Sequence, residues 1–176
     1  MGALTGASGP GRRSWRASGA FRTANHAARP MTVLLGHDGA TLYLAFICSG
    51  QPEPQAQNRP HDGAVWEDDA AEVFLQPPAS DGYYHFAVNA VGSRYEARCQ
   101  DTLDSGWNAD WQAQTGRTAD AWIAEIAIPL SSLAAPQGFW RMNFGREEFD
   151  TKAATCWSPT FSSFHAPERF GVVEFR

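Results

Sequence analysis

The chain has 176 residues, of which 43% are apolar, 12% aromatic and only 19% charged, with a formal charge of −5. That length suits one domain with a sizeable core. The aromatic content excludes an intrinsically disordered chain, and the acidic balance excludes a generic nucleic-acid binder, which would carry a basic stripe. The longest apolar runs, such as Leu42–Cys48, are strand-sized, so no membrane span is expected.

Met1–Arg13 is rich in Gly, Ala, Ser and Arg and lacks the apolar stretch of a signal peptide. Residues 1–30 read as an irregular arm, anchored by Trp15 and Phe21 onto a domain spanning 31–176. Thr32–Leu35 and Thr41–Cys48 flank Gly36-His37-Asp38-Gly39 and predict a hairpin. Gly50–Gly63 is a long Pro-, Gln- and Asn-rich loop, of the kind that often serves function. Ala71–Gln76 is a strand ended by Pro77-Pro78. Tyr83–Ala90 alternates Tyr84, Phe86 and Val88 against His85, Ala87 and Asn89. Further strands are expected at Arg94–Cys99, Trp111–Thr115, Trp122–Ile128, Phe139–Arg146 and Val172–Phe175, with one helical turn at Ser131–Ala134. About nine short strands and no long amphipathic helix predict an all-β, single antiparallel sandwich. Cys48, Cys99 and Cys156 are odd in number and have no CxxC spacing, which argues against a disulfide framework or structural zinc.

Several strands carry an unusually polar second face, with Glu72, His85, Asn89, Arg94, Glu96, Gln114 and Asn143 among it. One reading is a sheet face meeting water. The other is a recognition surface, because planar amide, guanidinium and carboxylate groups suit vicinal hydroxyls. On this reading Glu72 and Arg94 share a face, and without a ligand they form an exposed cross-strand ion pair worth about 1 kcal/mol or less. Trp66 stands among polar residues before Asp68-Asp69, in the setting of an exposed stacking ring, and Trp157, Phe161 and Phe164 lie in a Ser/Pro-rich loop. Trp107 and Trp111 are expected to cap the core.

Five stretches in order carry a resemblance. They are Trp66-Glu67-Asp68-Asp69 running into Glu72-Val73-Phe74, Tyr84–Ala90 with Gly92, Trp107-Asn108 with Trp111, Trp122–Leu130, and Arg141-Met142-Asn143-Phe144 with Arg146-Glu147, Trp157-Ser158-Pro159 and Phe164-His165. From about residue 30 to the end, the chain resembles family 9 carbohydrate-binding modules, of the DOMON-like β-sandwich superfamily. The resemblance implies a non-catalytic domain that binds a mono- or oligosaccharide between aromatic rings. In that reading Trp66 is one stacking ring, Glu72 a hydroxyl acceptor and Arg94 its partner donor. The second ring is Trp157 or Phe164, and Asn143 and Arg146 are lesser contacts. It also implies an extracellular or periplasmic setting, attachment to or association with a glycoside hydrolase, and a structural calcium ion, for which Asp62, Asp68, Asp69 and Asp81 offer hard oxygens.

No GxSxG, HExxH, P-loop or GxGxxG motif occurs, so no enzyme is expected. The alternatives are a DOMON-like haem- or other-ligand-binding domain, with Met31, His85, Met142 and Lys152 as axial candidates, or a structural or interaction domain of a larger bacterial protein. In the haem reading Met142 alternates onto the core face, which favours a packing role.

Overall fold

The structure is a computed structural model that describes residues 19–22, 29–78, 80–133 and 138–175. Twelve strands occur among these residues: β1 (Gly19–Arg22), β2 (Met31–His37), β3 (Thr41–Ser49), β4 (Ala70–Gln76), β5 (Tyr83–Asn89), β6 (Arg94–Cys99), β7 (Leu103–Asp104), β8 (Gln112–Arg117), β9 (Ala121–Pro129), β10 (Gly138–Glu148), β11 (Ala153–Cys156) and β12 (Gly171–Phe175). They form two antiparallel sheets. The first runs β1-β2-β3-β9-β8. The second runs β11-β10-β4-β5-β6-β7, with β12 also paired to β10. No helix among the described residues is long and apolar enough to cross a membrane.

Period-two alternation builds the core between the sheets. Leu35, Leu44, Phe46, Trp122 and Ile126 from the first sheet meet Val73, Phe86, Val88, Trp140, Met142 and Phe144 from the second. Trp111 is buried and Trp107 half-buried against the same core, as expected of rings that cap it. Burying each of the larger side chains contributes about 1.5–3 kcal/mol. The arm adds an edge strand: β1 pairs with β2, and Phe21 packs against Phe144 and Trp157 with ring centroids 5.2 and 4.7 Å away. Trp15 lies outside the described residues. The expected helical turn is a 3-10 turn at Leu130–Leu133. Cys48, Cys99 and Cys156 are free thiols.

The long loop after β3 is tied to the second sheet by two carboxylates. Asp69 accepts hydrogen bonds from Gln51 Nε2, Gln55 N and Phe149 N. Asp68 accepts from Arg59, Asn89 and Gln57 N. Burial raises the Asp68 carboxyl, but the bonds from Arg59, Asn89 and Gln57 outweigh it and hold the group below its ordinary range.

Candidate functional site

Directly opposed residues in antiparallel strands share a face, so the register fixes what stands on the outer face of the second sheet. One row runs Gly145 on β10, Glu72 on β4, Ala87 on β5 and Tyr95 on β6. The next row places Asn143 beside Phe74 and Phe74 beside His85. Glu147 lies on the same face, two residues from Gly145 along β10.

Aromatic side chains rise at both ends of the first row. The 3-10 turn Val65–Glu67 sets Trp66 edge-on against Tyr95, at 5.0 Å between centroids, and leaves Trp66 41% exposed. At the other end Phe164 lies over Gly145, where a Cβ would meet its ring at 2.7 Å. Three strand steps separate Tyr95 from Gly145, about 14 Å. Trp66 and Glu147 also line one open cleft of about 460 Å³, together with Gln57, Arg59 and Lys152.

Between the rings stands a group of titratable side chains. Glu72 is only 3% exposed, and its Oε2 lies 2.6 Å from His85 Nε2. His85 is buried, stacks on Phe74 at 4.3 Å, and has no hydrogen-bond partner for Nδ1 among the described residues. Burial alone holds this imidazole neutral, pushing it down to about 3. Glu72 and Glu147 lie within hydrogen-bonding reach of each other. Burial raises both carboxyls. The Glu147 O–H donates to Glu72, which raises Glu147 further and offsets part of the rise at Glu72. His165 covers this corner, with its Nδ1 2.7 Å from the Tyr83 hydroxyl and its ring 5.0 Å from that of His85.

The residues singled out by sequence therefore divide. Trp66, Glu72 and Phe164 stand on one face, and Asn143 lies beside them. Asn143 is held by the protein through both amide atoms, because Nδ2 donates to Ser158 O and Oδ1 accepts from Ser158 N and Phe144 N. It holds the loop that carries Phe164. Arg94 is a correction. It is opposed to Val88, a core residue, so it projects from the other face of the sheet. There its Nη1 donates to Trp111 O at 2.5 Å and its guanidinium lies 5.3 Å from the Trp111 ring centre. Arg146 is a second correction. It opposes Ala71 on the core side, is 0% exposed, and donates to Pro30 O, Ser49 O and Gln51 Oε1, joining the two sheets. Trp157 is a third: its ring packs inward against Phe21 and Phe144, while Phe164 lies over the outer face at Gly145.

The residues do not assemble the expected calcium set. Asp68 and Asp69 are occupied by the protein donors named above, and Asp81 lies in the turn before β5. Asp62 instead groups with His61 and Glu96, whose ligand atoms all lie within 4.8 Å of one another. Met142 is sealed in the core, on the opposite face from His85, so these two cannot serve as paired axial ligands. Sequence reasoning missed Glu147 as a site residue. Its one signal was the period-two step from Asn143 through Gly145.

A family model described as carbohydrate family 9 binding domain-like matches residues 23–176. No curated protein matches the chain. Among solved structures, a candidate carbohydrate-binding protein from Bacteroides uniformis superposes with a TM-score of 0.75 at 20% identity, over 89% of this chain and 85% of that one. A family 9 carbohydrate-binding module from Caldicellulosiruptor kristjanssonii in complex with cellotriose gives 0.67 at 19% identity, over 92% and 81%. A module from the same organism in complex with glucose gives 0.66 at 19%, over 93% and 84%. These likenesses show a shared fold.

Proposed function

The chain belongs to the carbohydrate family 9 binding domain-like family, and from that premise we propose that the outer face of its second sheet binds a saccharide without cleaving it. The observation that carries this reading is the exposed indole of Trp66 at one end of a row whose middle is Glu72 and whose other end lies under Phe164. A pyranose ring lays its C–H face on the indole, and its hydroxyls reach the carboxyls of Glu147 and Glu72. The cellotriose and glucose complexes of the two similar modules support a sugar ligand.

The carboxyl geometry supports the non-catalytic part. Glycosidases hold two carboxyls about 5–9.5 Å apart across the scissile bond. Glu72 and Glu147 are diagonal neighbours on β4 and β10 in mutual hydrogen-bonding reach, closer than either glycosidase spacing. A water-exposed site of this kind gives micromolar to millimolar affinity, about −4 to −8 kcal/mol. Titration of Trp fluorescence with glucose and cello-oligosaccharides tests binding, and release of reducing sugar from polysaccharides tests hydrolysis. No fluorescence change with any saccharide overturns the first part, and reducing-sugar release overturns the second. The same proposal places the domain outside the cytoplasm, beside polysaccharide and a glycoside hydrolase. Cell fractionation that finds it only in the cytosol overturns that placement.

A further inference from the structure

The floor of this site is acidic, and the cations Arg59 and Lys152 line the same cleft as Glu147. Glu72 and Glu147 meet across β4 and β10, and neither forms an ion pair with Lys or Arg among the described residues. The nearby cations are engaged elsewhere. Arg59 is paired with Asp68 and Glu67, and Lys152 lies over the Phe149 ring at 3.9 Å. The neighbouring His85 is buried and neutral, so it supplies no positive charge. A shared proton, the contact of His85 Nε2 with Glu72 and the neighbouring His165 are what relieve the repulsion between the two carboxyls.

We propose that the site prefers a saccharide carrying a free amino group, whose ammonium displaces the shared proton and bridges Glu147 and Glu72. This rests on the saccharide-binding reading above and names the ligand class for it. The ammonium enters from the cleft that Glu147 lines, and Glu72 is its diagonal neighbour on β4. Each N–H donates to a carboxylate oxygen, and such charge-assisted bonds are roughly twice as strong as neutral ones. The displaced proton leaves to solvent, so the pair changes from one negative charge to two as one positive charge arrives. A uronic acid brings a third carboxylate to the same floor and is rejected.

The test compares glucose, glucosamine, N-acetylglucosamine and glucuronate, with cellotriose and fully deacetylated chitotriose as longer probes. Binding is read by Trp fluorescence at about pH 7.3, between the values of about 7 for Glu72 and about 8 for Glu147, where the pair holds close to one proton and an amino group of about 7.7–8.0 is still mostly charged. Glucosamine is expected to bind at least about tenfold more tightly than glucose. Acetylation should erase the gain, and glucuronate should bind worst. In Glu147→Gln, with its fold checked by circular dichroism, the glucosamine-to-glucose affinity ratio should fall toward one. Calorimetry in two buffers of different ionisation enthalpy should show proton release on glucosamine binding and none on glucose binding. If glucose binds and glucosamine binds no better, the amine preference is overturned and saccharide binding stands. An unchanged affinity ratio in Glu147→Gln also overturns it. If neither neutral nor amino sugars bind, the saccharide reading itself falls.

Discussion

Glu72 and Arg94 project from opposite faces of one sheet: Glu72 stands in a row with Ala87 and Tyr95, and Arg94 is one residue out of step with that row. The arginine thus belongs to the rim of the core, where it grips the Trp111 carbonyl and lies over its ring. Arg94→Ala should leave saccharide affinity unchanged and cost about 1–2 kcal/mol of stability, read from denaturant midpoints. A loss of sugar binding at unchanged stability would return Arg94 to the site.

Trp66 meets Tyr95 edge-on and is 41% exposed. Trp66→Ala should therefore weaken saccharide binding at least about tenfold, which is about 1.4 kcal/mol. The melting temperature should move by no more than about 3 °C. A collapse of the fold would instead make the indole part of the small cluster of Val65, Ala87, Tyr95 and Ala97 beneath it.

The place of Phe164 depends on the missing side chain of Gly145, since an added Cβ would strike the ring at 2.7 Å. Gly145→Ala should push Phe164 off the sheet and weaken sugar binding as much as Phe164→Ala does. Combining the two should add little, because both remove the same ring. Fully additive losses in fluorescence titrations would show that Phe164 does not act through this contact.

Burial pushes the paired carboxyls up to about 7 for Glu72 and about 8 for Glu147, from 4.5 in the unfolded chain. The native state thus holds more protons than the unfolded state above 4.5, and stability falls as pH rises through 8. Buried neutral His85 works the other way below its ordinary 6.5, so the clean window lies between 6.5 and about 8. Thermal melts should decline across that window in the wild type and stay flatter in Glu147→Gln. Equal slopes would show that the pair holds no proton.

Arg146 is buried with three carbonyl-type acceptors, from Pro30 just before β2, Ser49 at the end of β3 and Gln51 just after it. Arg146→Ala strands those acceptors and should cost about 3–5 kcal/mol, seen as a lower denaturant midpoint. A cost below about 1 kcal/mol would show that water replaces the guanidinium at this position.

The sandwich was legible in the sequence because alternation reports burial strand by strand. Phe86 and Val88 on β5, and Trp140, Met142 and Phe144 on β10, face the core as their spacing predicts. Which face a strand presents is a different question, set by register against its neighbours. On β6 the apolar Tyr95 and Ala97 read as core, which turned Arg94 toward Glu72. The structure reverses this because the outer face has an apolar patch of its own, where Val65 covers Ala87, Tyr95 and Ala97. Arg146 misled for a related reason: an inward arginine breaks the apolar pattern and is explained only by carbonyls more than 90 residues away in sequence. Short pieces with little pattern escaped altogether, namely β1, β7 and β11.

Asp69 draws hydrogen bonds from the start of the long loop, its middle and the end of β10. A loop of that length would ordinarily open and close on its own, trading its amide hydrogens with solvent quickly. Here the Gln55 and Phe149 amides are tethered to one buried carboxylate, so their deuterium uptake should be as slow as that of the central strands. The wall beside the indole is in place before any sugar arrives, and binding need not bear the entropy of ordering it.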